Sequence, residues 1–248
     1  MFRKLLVVLL ALIVVIGCAL AALYYWHVYR PQQALFAERP NSLEVTAVGP
    51  TGLLIFGPIA AGDYERVFEP AFHEGIEEVI LDSSGGDVEA ALLIGKHIAA
   101  RNVAIRVRKW CLSSCANYLF TAGARRVIAP GGIVGFHGNG EAAFSELGEN
   151  FGVSDEDIAE NLEEFTETKR QIDALIAEER AFFEAQGIAA EFFVLTQRPD
   201  KGIPGEEFAF LAPTPETFTR YGFDDVEGVQ DVVELARLDT FGVAIAHR

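Results

Sequence analysis

The feature that most constrains the fold is a strand–turn–helix–strand pattern over residues 77–108. It begins with EEVILDS, a short apolar run that ends in small polar residues, as strands of buried parallel sheets do. The turn SGGD at 84–87 follows, and residues 88–101 then carry apolar side chains at helical spacing. The segment VAIRVR returns to the period of a strand. Such a unit joins two parallel strands through a helix, so the pattern predicts an α/β fold with a mainly parallel sheet and flanking helices.

The same alternation continues on both sides of this unit. Upstream, two strands are predicted at 43–48 and 52–57, around a GPTG turn, followed by a helix at about 63–74. Downstream, a short helix is predicted at 114–122, followed by the strands RRVIA and IVGFH. A long helix is predicted from Ser154 to Gln186, since its apolar residues trace one stripe. These elements together predict one domain.

The first hydrophobic run has the length of a membrane-spanning helix. Residues 5–26 contain no charge, and about 20 such residues are needed to cross the hydrocarbon of a bilayer. Arg3 and Lys4 precede the run, and an aromatic cluster ends it, so the positive-inside rule places the N-terminus in the cytoplasm. The expected organisation is therefore a signal anchor over residues 1–30, a linker over 31–42, and an α/β domain over 43–248.

This topology predicts a single-pass protein of the inner (cytoplasmic) membrane, with its domain facing the periplasm or the exterior. A cleaved signal peptide is a second interpretation, but its apolar core is usually only about 7 to 15 residues long and is followed by a small-residue cleavage site. Lipidation at Cys18 is a third, since VIGC resembles a lipoprotein processing site. The apolar run continues for eight residues past Cys18, which favours the uncleaved anchor.

The charge of the chain excludes some partners. The net charge is −16 and the isoelectric point is near 4.7, so the chain lacks the broad positive field that nucleic acid requires. No cofactor is indicated. No metal site is expected either, because the five histidines show no spacing typical of metal ligands (His27, His73, His97, His137 and His247).

Three segments carry residues suited to acyl chemistry. The glycine turn at 85–86 follows a buried strand and precedes a helix, where backbone amides can approach a ligand. Ser113 and Ser114 stand just before another predicted helix, whose N-terminal partial positive charge favours a nucleophile. His137 ends a later strand, and histidine titrates in the range that a general base needs.

The order of these segments resembles the Clp protease proteolytic subunit and its wider superfamily, which includes signal peptide peptidase A and the crotonases. In Clp subunits the nucleophile precedes a helix ending in TAGA by seven residues, and Ser114 precedes Thr121 by that interval. RRVIAP, GGIVGF and His137 match the family's basic strand, proline turn and strand ending in histidine. The resemblance implies a ClpP/crotonase-like fold, with Ser114 as nucleophile and His137 as general base. Ser113 stays a rival, because a shift of one residue at a helix start cannot be detected in the sequence.

The resemblance also implies the groups that would stabilise an oxyanion. The family's donors are backbone amides of the glycine turn and of the residue after the nucleophile. These map to Gly85 or Gly86 and to Cys115. Removing one such donor typically costs about 10² to 10³ in rate.

The third member of the family's triad has no clear counterpart. The family places an aspartate shortly before a Tyr-Gly pair; here the pair is Tyr221-Gly222, but the expected position falls in the apolar run FAFLA. Glu207 is the candidate, with Glu206 and Asp200 also nearby. A serine–histidine dyad, or Glu207 orienting His137, could function, because the acid serves to orient the imidazole. Loss of the acid would equally suit an inactive protein.

Cys111 and Cys115 flank the two serines. An oxidising compartment would let them form a disulfide, which would contribute about 2 kcal/mol for so short a loop and would fix the turn between them. Two buried free thiols are the alternative. A nucleophilic role for Cys115 is disfavoured by the ungapped match of Ser114.

Two classes of function follow from these features. The first is a serine hydrolase, a peptidase acting on a peptide or protein substrate. The second is a catalytically inactive scaffold or binding protein tethered to the membrane. A crotonase reaction on acyl-CoA does not suit an exported domain, because CoA is cytosolic. A serine–lysine mechanism is disfavoured because Lys169, the only lysine soon after the serines, falls on the long helix. A homo-oligomer is possible, whereas a Clp ATPase partner is not expected outside the cytoplasm.

Overall fold

The computed structural model describes residue 17 and residues 39–140, 162–197, 210–240 and 245–247. Apart from residue 17, the expected membrane anchor lies outside these ranges. Among the residues that are described, no helix is both long and apolar enough to cross a membrane. The first eight residues of the helix predicted from Ser154 also lie outside the described ranges.

The domain is built on a seven-stranded sheet. Its strands are ordered β1-β2-β3-β4-β5-β8, and β6 pairs with the C-terminal part of β4. Strand β1 is antiparallel to β2, and the other pairs are parallel. The predicted α/β class with a mainly parallel sheet and flanking helices is therefore confirmed. The strands are β1 (Glu44–Val48), β2 (Gly52–Phe56), β3 (Glu78–Ser83), β4 (Ala104–Leu112), β5 (Arg126–Ile128), β6 (Ile133–Gly135) and β8 (Val226–Glu227).

The described helices are mostly short. The helix predicted at 63–74 consists of two consecutive segments, and the one predicted at 114–122 is wound as a π-helix. The helices are α1 (Tyr64–Phe68), α2 (Glu69–Ala71), α3 (Val88–Ala100), α4 (Cys115–Phe120), α5 (Leu162–Ala185), α6 (Glu191–Gln197), α7 (Pro215–Arg220) and α8 (Val232–Thr240).

The core lies between one face of the sheet and helices α3 and α4. Alternate residues of β2, β3 and β4 are fully or almost fully buried on this face, as the two-residue period of a strand requires. Asp87 caps α3 by accepting a hydrogen bond from the amide of Ala90 at 2.9 Å. A Cβ at Gly95 of α3 would lie 2.8 Å from the carbonyl oxygen of Tyr118 on α4, so the two helix backbones pack closely. The two helices thereby hold the ends of β3 and β4 in fixed positions.

A two-stranded parallel sheet lies next to β6. Strand β7 (Phe210–Ala212) pairs with β9 (Ile245–His247). Leu211 of β7 also forms an antiparallel bridge with Phe136, the residue just after β6. This bridge places β7 beside the chain segment that leads to His137.

The opposite face of the main sheet holds a buried ion pair. The guanidinium group of Arg39 lies 2.6 Å from the Asp82 carboxylate and 3.7 Å from the centroid of the Trp110 ring. Arg108 contacts the other oxygen of Asp82 at 2.9 Å. Arg39 therefore fixes the segment that precedes β1 against the sheet.

Candidate active site

The turn between β4 and α4 holds Ser113 in an uncommon conformation. Its φ is +56°, a left-handed value that costs a residue other than glycine about 1–2 kcal/mol. The Ser113 amide donates to the carbonyl oxygen of Gly135 at 2.9 Å, and its own carbonyl accepts from the amide of Asn117 at 2.9 Å. These two bonds hold the strained turn against β6 on one side and α4 on the other.

Ser113 and His137 meet at the ends of neighbouring strands. Leu112 of β4 pairs with Gly135 of β6, so the residues that follow each strand emerge side by side. The Oγ of Ser113 lies 2.6 Å from the Nε2 of His137. A neutral imidazole with its proton on Nδ1 would accept this hydrogen bond through Nε2, as a general base does.

Ser114 has a different partner. Its side chain is buried, and its Oγ donates to the carbonyl oxygen of Gly86 at 2.7 Å. The structure therefore pairs His137 with Ser113 and not with Ser114. The resemblance to Clp subunits implies Ser114 as the nucleophile, and the geometry does not support that assignment. Ser114 instead ties the glycine turn to the start of α4.

The glycine turn lies directly against the serine turn. Gly85 and Gly86 have φ values of +79° and +147°, which other residues rarely adopt. A Cβ at Gly85 would lie 2.8 Å from both the Cβ of Ser113 and the amide nitrogen of Ser114. The two turns can approach this closely only because position 85 has no side chain.

The predicted oxyanion donors are not equally available. The Gly85 amide donates to the hydroxyl of Ser83 at 3.1 Å. Among the described residues, the Gly86 amide has no hydrogen-bond acceptor. At the start of α4, the Asn117 amide donates to the Ser113 carbonyl, so the amides of Ser114 and Cys115 precede the first intrahelical bond. Gly86 is an exposed residue, whereas Cys115 is fully buried, so the amide of Gly86 and, beside it, that of Ser114 are better placed to bind an oxyanion than that of Cys115.

Cys111 and Cys115 form a disulfide around the serine turn. Their Cα atoms are 5.2 Å apart, and both residues are fully buried. The bond connects the end of β4 with the first residue of α4. Ser113 therefore lies in a covalently closed loop.

His137 is an exposed residue, but one side of its ring is covered by Phe210, which it meets edge-on at 5.2 Å between ring centroids. This partial burial lowers the pKa of His137 below its usual value. A lowered pKa favours the neutral form of the ring, which is the form that can accept a proton.

The structure does not describe the acid that the sequence suggests as the third member of the triad. Glu207, Glu206 and Asp200 all lie outside the described residues. Within the described ranges, no hydrogen bond or ion pair joins a carboxylate to the His137 ring. Lys169 lies on the exposed surface of α5 in an ion pair with Asp173 at 2.5 Å.

Asn117 is a further residue of this site, and its role could not be predicted from the sequence. Its side chain is buried, and its Nδ2 donates to the carbonyl oxygen of Gly138 at 2.6 Å. Asn117 thus contacts Ser113 through its backbone amide and Gly138, the residue that follows His137, through its side chain. The only sequence signal was a polar residue inside the apolar run CANYLF.

Comparisons with known proteins add no family assignment. In the described part of the chain, no group of three or more His, Cys, Asp or Glu side chains could hold a metal ion. No protein-family model matches the chain, and no curated protein is significantly similar to it. The interpretation of the site therefore depends on its geometry.

Proposed function

We propose that the protein is a serine hydrolase that cleaves peptide or other acyl bonds, with Ser113 as nucleophile and His137 as general base. The observation that carries this proposal is the 2.6 Å distance between the Ser113 Oγ and the His137 Nε2. A hydroxyl needs such a base because it is a weak nucleophile at neutral pH. The strained backbone at Ser113 also supports the proposal, since strain of this kind is common at active sites.

The reaction would proceed through an acyl-enzyme. The Nε2 of His137 takes the proton of Ser113 as the Oγ attacks the carbonyl carbon. The oxyanion that forms is stabilised by the amide of Gly86 and by the helix-start amide of Ser114. His137 then gives its proton to the leaving group. Water, activated by the same imidazole, releases the acid and restores Ser113.

We also propose that the domain has a ClpP/crotonase-like fold. A glycine turn after β3, a serine at the start of α4 and a histidine after β6 support membership of the ClpP/crotonase superfamily. The disulfide supports location in an oxidising compartment, in agreement with an anchor at residues 5–26 and a domain facing the periplasm or exterior. We further propose that the substrate is a peptide or protein and that the protein forms a homo-oligomer. We do not expect a Clp ATPase partner.

A fluorophosphonate probe tests the function directly. We expect the probe to label the purified full-length protein covalently, with mass spectrometry locating the adduct on Ser113. Replacing His137 with alanine should slow labelling by about 10² to 10⁴, the usual contribution of a general base. Equal labelling of the two proteins, or an adduct elsewhere, would contradict the mechanism.

The pH dependence of labelling provides a second prediction. Since burial lowers the pKa of His137, the imidazole loses its proton below the ordinary histidine value of about 6.5. Only the neutral ring can accept the serine proton, so the rate should be constant at neutral pH and fall only below about pH 6.5. Labelling rates measured in a series of buffers of different pH give this dependence. A midpoint above that value would show that a nearby carboxylate, and not burial, dominates the pKa.

A catalytically inactive binding protein is the second candidate. It is favoured by the lack of a carboxylate bonded to His137 in the described part of the structure. In that case the probe should label neither the wild type nor the His137→Ala protein. Both should nevertheless retain the same partners when crosslinked in membranes.

A further inference from the structure

Glu179 of α5 is a fully buried acid next to the candidate site. Its Oε1 accepts hydrogen bonds from the Gly140 amide at 2.9 Å and from the hydroxyl of Tyr118. Its Oε2 accepts from the Nδ2 of Asn139 at 3.0 Å. Burying a carboxylate is costly unless its oxygens are hydrogen-bonded, and here both oxygens accept hydrogen bonds.

Two of these donors belong to the segment that directly follows His137. Gly138 accepts a hydrogen bond from Asn117, whereas Asn139 and Gly140 donate to Glu179. The main chain after the imidazole is therefore held by α4 at Gly138 and by α5 at Gly140, and the Asn139 side chain adds a second hydrogen bond to α5. A shift of this segment would move His137 with it.

The third donor connects the same carboxylate to the helix of the nucleophile. Burial, and then the charge of Glu179, raise the pKa of Tyr118, so the phenol keeps its proton and donates it. Tyr118 follows Asn117, whose amide binds the Ser113 carbonyl. Glu179 thus joins the helix that positions Ser113 to the segment that positions His137.

We infer that Glu179 is a positioning residue for the base, an inference that rests on the proposed hydrolase function. In serine hydrolase triads an acid orients the imidazole through its ring nitrogen. Glu179 acts on the main chain beyond the imidazole and fixes the distance between Ser113 and His137. It does not touch the substrate or the reacting atoms.

Glu179→Gln tests the inference with little change in volume. The amide keeps one acceptor oxygen but places an NH₂ group opposite either the Gly140 amide, which must then move away, or the Asn139 side chain, whose amide must then turn over to accept. A displacement near 1 Å can cost about 10²-fold in rate, so kinact for the fluorophosphonate should fall by about ten- to a hundredfold. KI should stay within about threefold, because the residue does not contact the probe.

Two further variants separate positioning from general stability. Glu178→Gln makes the same change at the neighbouring residue, which is exposed and pairs with Lys96, and should leave kinact unchanged. Asn139→Asp combined with Glu179→Gln reverses the donor and the acceptor, so the new amide can donate to the new carboxylate. This double variant should recover most of the lost rate. All rates are taken on full-length proteins at temperatures where circular dichroism shows each variant folded.

The outcomes are distinguishable. A wild type that the probe does not label overturns the proposed function and this inference with it. A labelled wild type with an unchanged kinact for folded Glu179→Gln overturns the inference alone. Loss of rate without recovery in the double variant also overturns it, because the effect would then not depend on the hydrogen bond to the segment after His137.

Discussion

Ser113→Ala is expected to abolish covalent labelling by a fluorophosphonate, whereas Ser114→Ala should retain it. The Ser113 hydroxyl is the one that contacts the imidazole, at 2.6 Å, and without it no atom remains to form the adduct. The expected loss is at least about 10³-fold, since removing a nucleophile leaves only binding and oxyanion stabilisation. Labelling kinetics followed by intact-protein mass spectrometry measure the difference.

Ser114→Ala is the matched control for this prediction. It removes a buried hydroxyl that donates to the carbonyl oxygen of Gly86 at 2.7 Å. The loss of this hydrogen bond should lower the free energy of unfolding by about 1 kcal/mol and slow labelling by less than about tenfold. The reverse result, with labelling lost at Ser114 and kept at Ser113, would reassign the nucleophile.

Gly86→Ala is expected to produce the second large effect. The φ of +147° disfavours any side chain, and a Cβ would lie 2.0 Å from the carbonyl oxygen of Ile59. The backbone must therefore shift and turn the Gly86 amide away from the oxyanion. We expect labelling to slow by about 10² to 10³ and the free energy of unfolding to fall by about 2–4 kcal/mol.

Gly131→Ala separates crowding from backbone strain. Gly131 also has a positive φ, +84°, but a Cβ there would have no heavy atom within 4 Å. The variant should lose about 1–2 kcal/mol of stability through its conformation and label at the wild-type rate. Chemical denaturation measures the free energy of unfolding of both variants, and labelling kinetics measure their rates of reaction with the probe. Equal labelling of the two would exclude an oxyanion role for the Gly86 amide.

The architecture could be predicted from the sequence because its signals are local. The apolar run EEVILDS, the glycine turn and the helical spacing of residues 88–101 all lie within one βαβ unit. The structure places them in β3 and α3, with the turn against Ser113. The convergence of glycine turn, serine and histidine also followed, because the carboxyl ends of parallel strands meet at one edge of a sheet.

The identity of the serine that meets His137 could not be predicted, because it depends on how α4 is wound. Counting seven residues back from Thr121 reaches Ser114, an interval that comes from the resemblance to Clp subunits. Residues Cys115–Phe120 form a π-helix, whose hydrogen bonds span one more residue than those of an α-helix. A spacing along the sequence does not show which hydroxyl the turn before such a helix directs to the imidazole; in the structure it is that of Ser113.

The burial of Glu179 and its contact with the segment after His137 could not be predicted from the sequence either. Glu179 stands among many glutamates on a helix predicted to face water on one side, and nothing in its spacing distinguishes it. Its burial arises from the approach of the segment after His137, a contact between residues about 40 positions apart. Such contacts are set by tertiary packing, which single-sequence patterns do not contain.

If the proposed anchor holds the chain in a bilayer, the attachment of Arg39 to Asp82 and Trp110 limits how far the domain can move from that bilayer. Only residues 27–38 separate it from the proposed anchor, and twelve residues extend to at most about 43 Å. An anchored domain would therefore meet membrane-bound proteins at a high effective concentration and would meet freely diffusing ones only as they pass the surface.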